Sequence, residues 1–195
     1  MGVKGYFDSQ AESYDGQRSG GPIGGLVKKE EQFVSEFLDV QEGDNILDVG
    51  CGSGHYAMLM KESGGTVFGI DVSDQMIEKF KAKGFEGVVG SMEDVSLGKT
   101  FDKVLCAGAM EFMEQPDRAL LKINSVLKQS GVLVCVYPKK SIGGFVYRLF
   151  HKTHGVNIKL FSKNDIQKLL KNSGFTLEKV KKSNPITNVF LARKV

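Results

Sequence analysis

Apolar residues recur along this chain with two rhythms, and each change of rhythm marks an element. Between Leu26 and Leu38 the pairs Leu26/Val27, Phe33/Val34 and Phe37/Leu38 fall at helical spacing while Lys28, Lys29, Glu30 and Glu31 fall elsewhere, which predicts an amphipathic helix. Short apolar runs follow at Asn45 to Val49, Thr66 to Ile70, Gly87 to Val89, Lys103 to Ala107 and Val132 to Val136. Most are unbroken, as in strands of a parallel sheet covered on both faces. Between them the helical rhythm returns. One helix starts from a capping Ser73, turns Met76, Ile77 and Phe80 inward and stops at Gly84; another follows Pro116 with Ala119, Leu120, Ile123 and Leu127. "SKND", Ser162 to Asp165, is a capping box opening a helix with Ile166, Leu169 and Leu170 inward and Gly174 at its end.

Strands alternating with helices predict an α/β fold, a doubly wound sheet with right-handed crossovers. The last stretch breaks the alternation. Two strand-like runs flank Asn184-Pro185 too closely for a helical crossover, so they are expected to pair as an antiparallel hairpin on an otherwise parallel sheet.

Composition changes this picture little. At 195 residues the chain has the length of one well-buried domain, and a net charge of +3 from scattered lysines indicates no general nucleic-acid footprint. Cys51, Cys106 and Cys135 form neither a disulfide framework nor a zinc-site spacing, so reduced thiols and a cytoplasmic setting are expected, with no metal. No apolar run reaches the roughly 20 residues of a membrane span.

The candidate chemistry begins at "ILDVGCGSGHY", Ile46 to Tyr56, where Gly50, Gly52 and Gly54 follow a predicted strand. Glycine there costs backbone entropy unless something must approach the main chain, and the loop lies where open α/β sheets bind ligands. Its N–H groups and the following helix N-terminus are expected to favour a polar or anionic group. Asp71 closes the second strand at the interval from which a carboxylate can accept ribose hydroxyls. In a dinucleotide loop the third glycine would fall at His55; here it comes one residue earlier, and Asp48 precedes the loop where it would repel a phosphate.

"ILDVGCGSGHY" and "VFGIDVSDQMIEKFKAKG" together resemble motif I and the acidic motif II of class I S-adenosylmethionine-dependent methyltransferases. The resemblance covers most of the chain and implies a Rossmann-like sheet of seven strands ending in an antiparallel hairpin. It implies S-adenosylmethionine as cofactor, with Gly50, Cys51, Gly52 and Gly54 along its methionine part, Asp48 near the amino group and Asp71 on the ribose. Val72 and Met76 would pack beside the adenine, the loop of Ser91, Met92 and Glu93 would reach its other edge, and Ala107 and Met110 would flank the reaction side.

The N-terminal "YFDSQAESYDGQ" looks like the entry segment of small-molecule, quinone and related methyltransferases, which folds over the cofactor. Residues 1–27 are thus expected to form a lid with Phe7, Ala11 and Tyr14 inward and the glycines of "SGGPIGG" as a hinge, or else a frayed terminus. Residues 28–195 would be the methyltransferase domain, with an acceptor-pocket insertion over 139–160. There Phe145 and Arg148 are the candidate substrate contacts, since aromatic and cationic side chains together suit a lipid-like, aromatic or carboxylated acceptor.

A sulfonium methyl is already electrophilic, so a base is optional. Tyr14, Glu111 and His154 are the candidates carried forward, beside His55 and His151, and none has a visible partner in the sequence. The motifs of DNA-base methylation are absent, which makes nucleic acid an unlikely acceptor. Protein or tRNA acceptors, and a module that binds the cofactor without catalysis, stay open. A monomer or homodimer is expected.

Overall fold

The computed structural model describes residues 2–11 and 24–195. Seven strands form one sheet: β1 (Asn45–Val49), β2 (Thr66–Asp71), β3 (Glu86–Val89), β4 (Phe101–Ala107), β5 (Leu127–Pro138), β6 (Phe175–Lys182) and β7 (Thr187–Lys194). Their order is β3-β2-β1-β4-β5-β7-β6, parallel except for β7, which runs antiparallel between β5 and β6. The helices are α1 (Val3–Gln10), α2 (Gly24–Leu38), α3 (His55–Glu62), α4 (Asp74–Ala82), α5 (Pro116–Val126), α6 (Ile142–Thr153) and α7 (Lys163–Asn172).

Strand parity divides the core into two layers. Val104 and Cys106 of β4, Leu133 and Cys135 of β5, and Phe190 and Ala192 of β7 point to the side covered by α5 and α7. Their neighbours Leu105, Val134 and Leu191 point to the side covered by α2, α3 and α4. Both layers are apolar, which is why the strands read as unbroken runs rather than as alternation. The three cysteines are free and buried.

The helix ends behave as their residues predict. Ser73 caps α4 by accepting the Met76 N–H at 3.2 Å, and Ser162 and Asp165 form the reciprocal capping box of α7. Around α5 the structure differs from the sequence expectation. Leu127 is buried but ends the helical run, because β5 already begins there and pairs with Phe101. None of the described helices is long and apolar enough to cross a membrane.

Candidate active site

The chain lays β2 and β3 on one side of β1 and β4 on the other, so strand order reverses between β1 and β4. Loops diverging at such a point leave a crevice at the strand ends. A cavity of about 430 Å³ lies there, bounded by the loops after β1, β2, β3 and β4 and closed on one side by α1.

The glycine loop forms its floor. Gly50, Gly52 and Gly54 have φ of +73°, +52° and +94°, backbone that side chains other than glycine rarely adopt. Close approach is a second reason, though the approaching atoms are protein: a Cβ on Gly50 would lie 2.4 Å from the Ala109 Cβ, and one on Gly54 would lie 3.0 Å from the Phe80 ring. The expectation of N–H groups open to an anion is corrected at four positions. The Gly50 and Cys51 N–H groups both donate to the Ile70 carbonyl, at 2.7 and 3.1 Å, and Gly54 donates to the Cys51 carbonyl. Gly52 donates to the Asp71 carboxylate at 2.9 Å. Three of these donors go to β2 and the fourth stays within the loop, so none is left for a phosphate cradle.

Asp71 is held from both sides, since its second oxygen accepts the Ser73 N–H at 3.0 Å. Burial pushes its carboxyl above the usual range, and the N–H donors of Ser73, Gly52 and Val72 oppose that rise. After β3, the Ser91 hydroxyl donates to Glu93 at 3.1 Å and accepts the Glu93 N–H at 3.2 Å, while Glu93 also accepts the Gln115 N–H. Asp94 pairs with Arg118 at 3.0 Å. Among the described residues, the cavity thus presents the carboxylates of Asp71, Glu93, Asp94 and Glu114 against the guanidinium of Arg118, already paired. Such a lining disfavours phosphates and favours a cation.

Of the residues expected around the cofactor, Gly50, Gly52, Asp71, Val72, Met76, Ser91, Met92 and Glu93 line this cavity. Asp48, Cys51, Gly54, Ala107 and Met110 do not. Asp48 and Cys51 are buried beneath the loop, where burial, then the Asp48 and Asp71 charges, push the Cys51 thiol far up and leave it unreactive. Gly54 caps α3. Met110 belongs to the core against α5, and Gly108 and Ala109 face the cavity instead. Tyr14 lies outside the described residues.

Among the described residues, the base candidates His55, Glu111, His151 and His154 are not brought to the cavity wall. His55 bonds Glu31 at 2.6 Å, and His154 ends α6, with its Nδ1 2.9 Å from the Phe150 carbonyl oxygen. Glu111 is buried, not the surface carboxylate a helix end suggests, and does not line the cavity. Phe145 and Arg148 are exposed on the outer side of α6, and Arg148 lines a separate groove beside α7.

Helix α1 was legible only in part. Phe7 lines the cavity and Ala11 is buried, as expected, but Val3 joins Phe7 on the wall. Three polar contacts tie α1 to α4: Ser73 Oγ donates to Asp8 at 2.5 Å, Lys4 pairs with Asp74, and Lys79 Nζ donates to the Ala11 carbonyl at 2.6 Å. The Ser73 hydrogen bond holds Asp8 below its ordinary value. Tyr6 turns the other way, onto Val156, Ile158 and Leu160.

Behind Phe7 stands an aromatic cluster that the sequence did not reveal. Phe112, a cavity residue, meets the Phe7 ring edge-on at 5.0 Å and that of His151 at 5.3 Å. Tyr147 and Tyr6 also stand edge-on to His151, at 4.5 and 5.5 Å. Burial, then the charge of His154, lowers the His151 pKa from 6.5 to about 4. The imidazole is neutral in the folded state and charged in the unfolded one across that interval, so stability is lost as pH falls from 6.5 towards 4. Thermal melts of His151→Phe are expected to be flatter than wild type over that window; identical pH profiles would remove His151 as the cause.

Comparison with known proteins agrees with this geometry. Residues 47–135 match the methyltransferase domain family. A demethylmenaquinone methyltransferase of Symbiobacterium thermophilum is 30% identical over 156 residues, 74% of this chain and 62% of the relative. A ubiquinone/menaquinone biosynthesis C-methyltransferase of Teredinibacter turnerae is 30% identical over 164 residues, 76% of this chain and 65% of the relative. In both matches the chain is similar to class I S-adenosylmethionine-dependent methyltransferases. It spans less than two thirds of the length of either relative. The same fold is seen in a magnesium protoporphyrin IX methyltransferase from Synechocystis, crystallised with S-adenosylhomocysteine, with a TM-score of 0.77 at 17% identity over 99% of this chain and 98% of that one. The chain shares with it the fold alone. The seven-stranded sheet and terminal hairpin expected from the resemblance are both present.

Proposed function

We propose that this chain transfers the methyl group of S-adenosylmethionine to a small-molecule acceptor, releasing S-adenosylhomocysteine. The observation that carries this reading is the carboxylate-lined cavity whose glycine loop has turned its amides onto Asp71 and β2. Such a site suits a ligand with a sulfonium and an ammonium group and a pair of ribose hydroxyls, and it repels a pyrophosphate.

Bound there, the cofactor supplies an electrophilic methyl carbon on a good leaving group. The residues have to bind, orient and keep water away. Asp71, fixed by the Gly52 and Ser73 amides, accepts the ribose hydroxyls. Val72 and Met76 pack one side of the adenine, and the loop of Ser91, Met92 and Glu93 meets its edge. The acidic lining offsets the positive charge that the sulfonium carries before transfer. Phe7, Phe112 and Val3 give the opposite wall an apolar character suited to an acceptor with an apolar body, held in line for displacement. On this reading α1 is a lid, latched to α4 through Asp8, Lys4 and Ala11, that excludes water when closed.

The test is a screen for transfer of a radiolabelled methyl group to fractions of a cell extract, run beside calorimetry with S-adenosylhomocysteine. Binding of the product and label in a small-molecule fraction are expected. Absence of binding overturns the cofactor assignment, and label confined to protein or tRNA overturns the acceptor class.

A further inference from the structure

Helix α6 turns its apolar face the wrong way for a folded core. Ile142, Phe145, Val146, Leu149 and Phe150 recur at i, i+3, i+4, i+7 and i+8, a continuous stripe, yet they are 86%, 49%, 64%, 63% and 54% exposed. The opposite face carries Gly144, Tyr147 and His151 and packs against Tyr6 and Phe112. Elsewhere among the described residues large exposed apolar side chains occur singly, as at Met58, Val89 and Leu121. Single ones need no explanation, but five on one stripe do.

Charge says what covers the stripe. From Arg118 to Asn164 the chain holds nine Lys and Arg and no Asp or Glu. Arg148 and Lys152 stand one turn apart on the flank of the stripe, with the Arg148 guanidinium over the Phe145 ring at 4.9 Å. Lys139 and Lys140 lead into the helix; the groove that Arg148 lines also holds Asp117 and Asp165, the latter occupied by Lys140 at 2.8 Å and by the α7 cap. A broad apolar face with a basic flank, on a helix that itself carries no acid, is the pattern of a helix lying in the interface of an anionic membrane.

We propose that α6 docks this protein on a lipid bilayer bearing anionic headgroups, with Ile142, Phe145, Val146, Leu149 and Phe150 among the acyl chains and Arg148 and Lys152 at the phosphates. A consequence rests on the methyl-transfer reading: the inner face of α6 supports α1, whose Val3 and Phe7 line the cavity, so the acceptor would be one that dissolves in that bilayer.

Flotation of the full chain with phosphatidylcholine vesicles, with and without phosphatidylglycerol, tests this. Binding is expected only with phosphatidylglycerol, weakening as salt is raised. Val146→Gln/Leu149→Gln is expected to lose at least about tenfold in vesicle affinity and Arg148→Gln/Lys152→Gln roughly thirtyfold, both keeping the wild-type melt because these side chains face outward. No flotation of the wild type, equal binding to both vesicles or equal binding by the variants overturns the proposal. So does a dimer in sedimentation velocity that Val146→Gln/Leu149→Gln dissolves, which would assign the stripe to a second copy. A chain that floats but binds no S-adenosylhomocysteine upholds the docking surface and removes the methyl-transfer reading.

Discussion

Asp71→Ala is expected to weaken S-adenosylhomocysteine binding about ten- to a hundredfold in calorimetry. The carboxylate cannot turn away from the cavity, because Gly52 and Ser73 grip one oxygen each. Its remaining lone pairs are the ones a pair of ribose hydroxyls would use. A hydrogen bond to an ionised acceptor contributes about 1.5–3 kcal/mol, which corresponds to that range of affinity. The substitution also leaves the Gly52 and Ser73 amides without their acceptor, so a lower melting temperature is expected with the weaker binding. Asp71→Asn separates the two effects. It keeps the size and one accepting oxygen, so it should recover part of the stability while binding stays weak. Wild-type affinity in Asp71→Ala would take the ribose away from this residue and with it the placement of the whole cofactor.

The second large effect is on stability. Gly50→Ala places a side chain at φ +73° and drives its Cβ to within 2.4 Å of the Ala109 Cβ. The left-handed backbone costs about 1–2 kcal/mol and the overpacking about 1–3 kcal/mol. Together they predict a fall in melting temperature of roughly 4–20 °C for a chain of this length. Gly50→Ala/Ala109→Gly relieves the contact and not the backbone, so the double variant is expected to regain part of the loss. If Ala109→Gly gives no recovery in scanning calorimetry, the approach of the two loops is not what Gly50 is for.

These two residues differ in how much of their role the sequence carried. For Asp71 it carried nearly all: an acid at the end of the second strand, one interval after a glycine loop, has one place to stand once the strands are parallel neighbours. For Gly50 it carried the need for glycine but not its cause, because Ala109 arrives from the loop after β4, far away in the chain. The same limit explains Ala107 and Met110. Both were expected at the cavity, yet a shift of one residue at the end of β4 turns them into the core and brings Gly108 and Ala109 to the surface. Strand ends are where side-chain parity stops being reliable, since the chain leaves the pleat there.

Helix α6 shows the limit most clearly. By periodicity its stronger apolar stripe should face inward, whereas Phe145 was expected in an acceptor pocket because aromatic and cationic side chains mix there. The structure buries the weaker stripe because Tyr6, on a helix more than a hundred residues earlier in the chain, packs onto Tyr147 and His151 from that side.

By itself the sequence determined the strands and most of the helices, the unpaired cysteines, the switch from parallel sheet to terminal hairpin, and the pairing of a glycine loop with Asp71. These follow from local rhythm, capping chemistry and backbone sterics, which act within a few residues. The tertiary structure alone decided which amides of the loop were already taken, which carboxylates gathered around one cavity, and which face of α6 was left to solvent. Those depend on contacts between segments far apart in the chain, where burial and charge are set by whatever arrives from elsewhere.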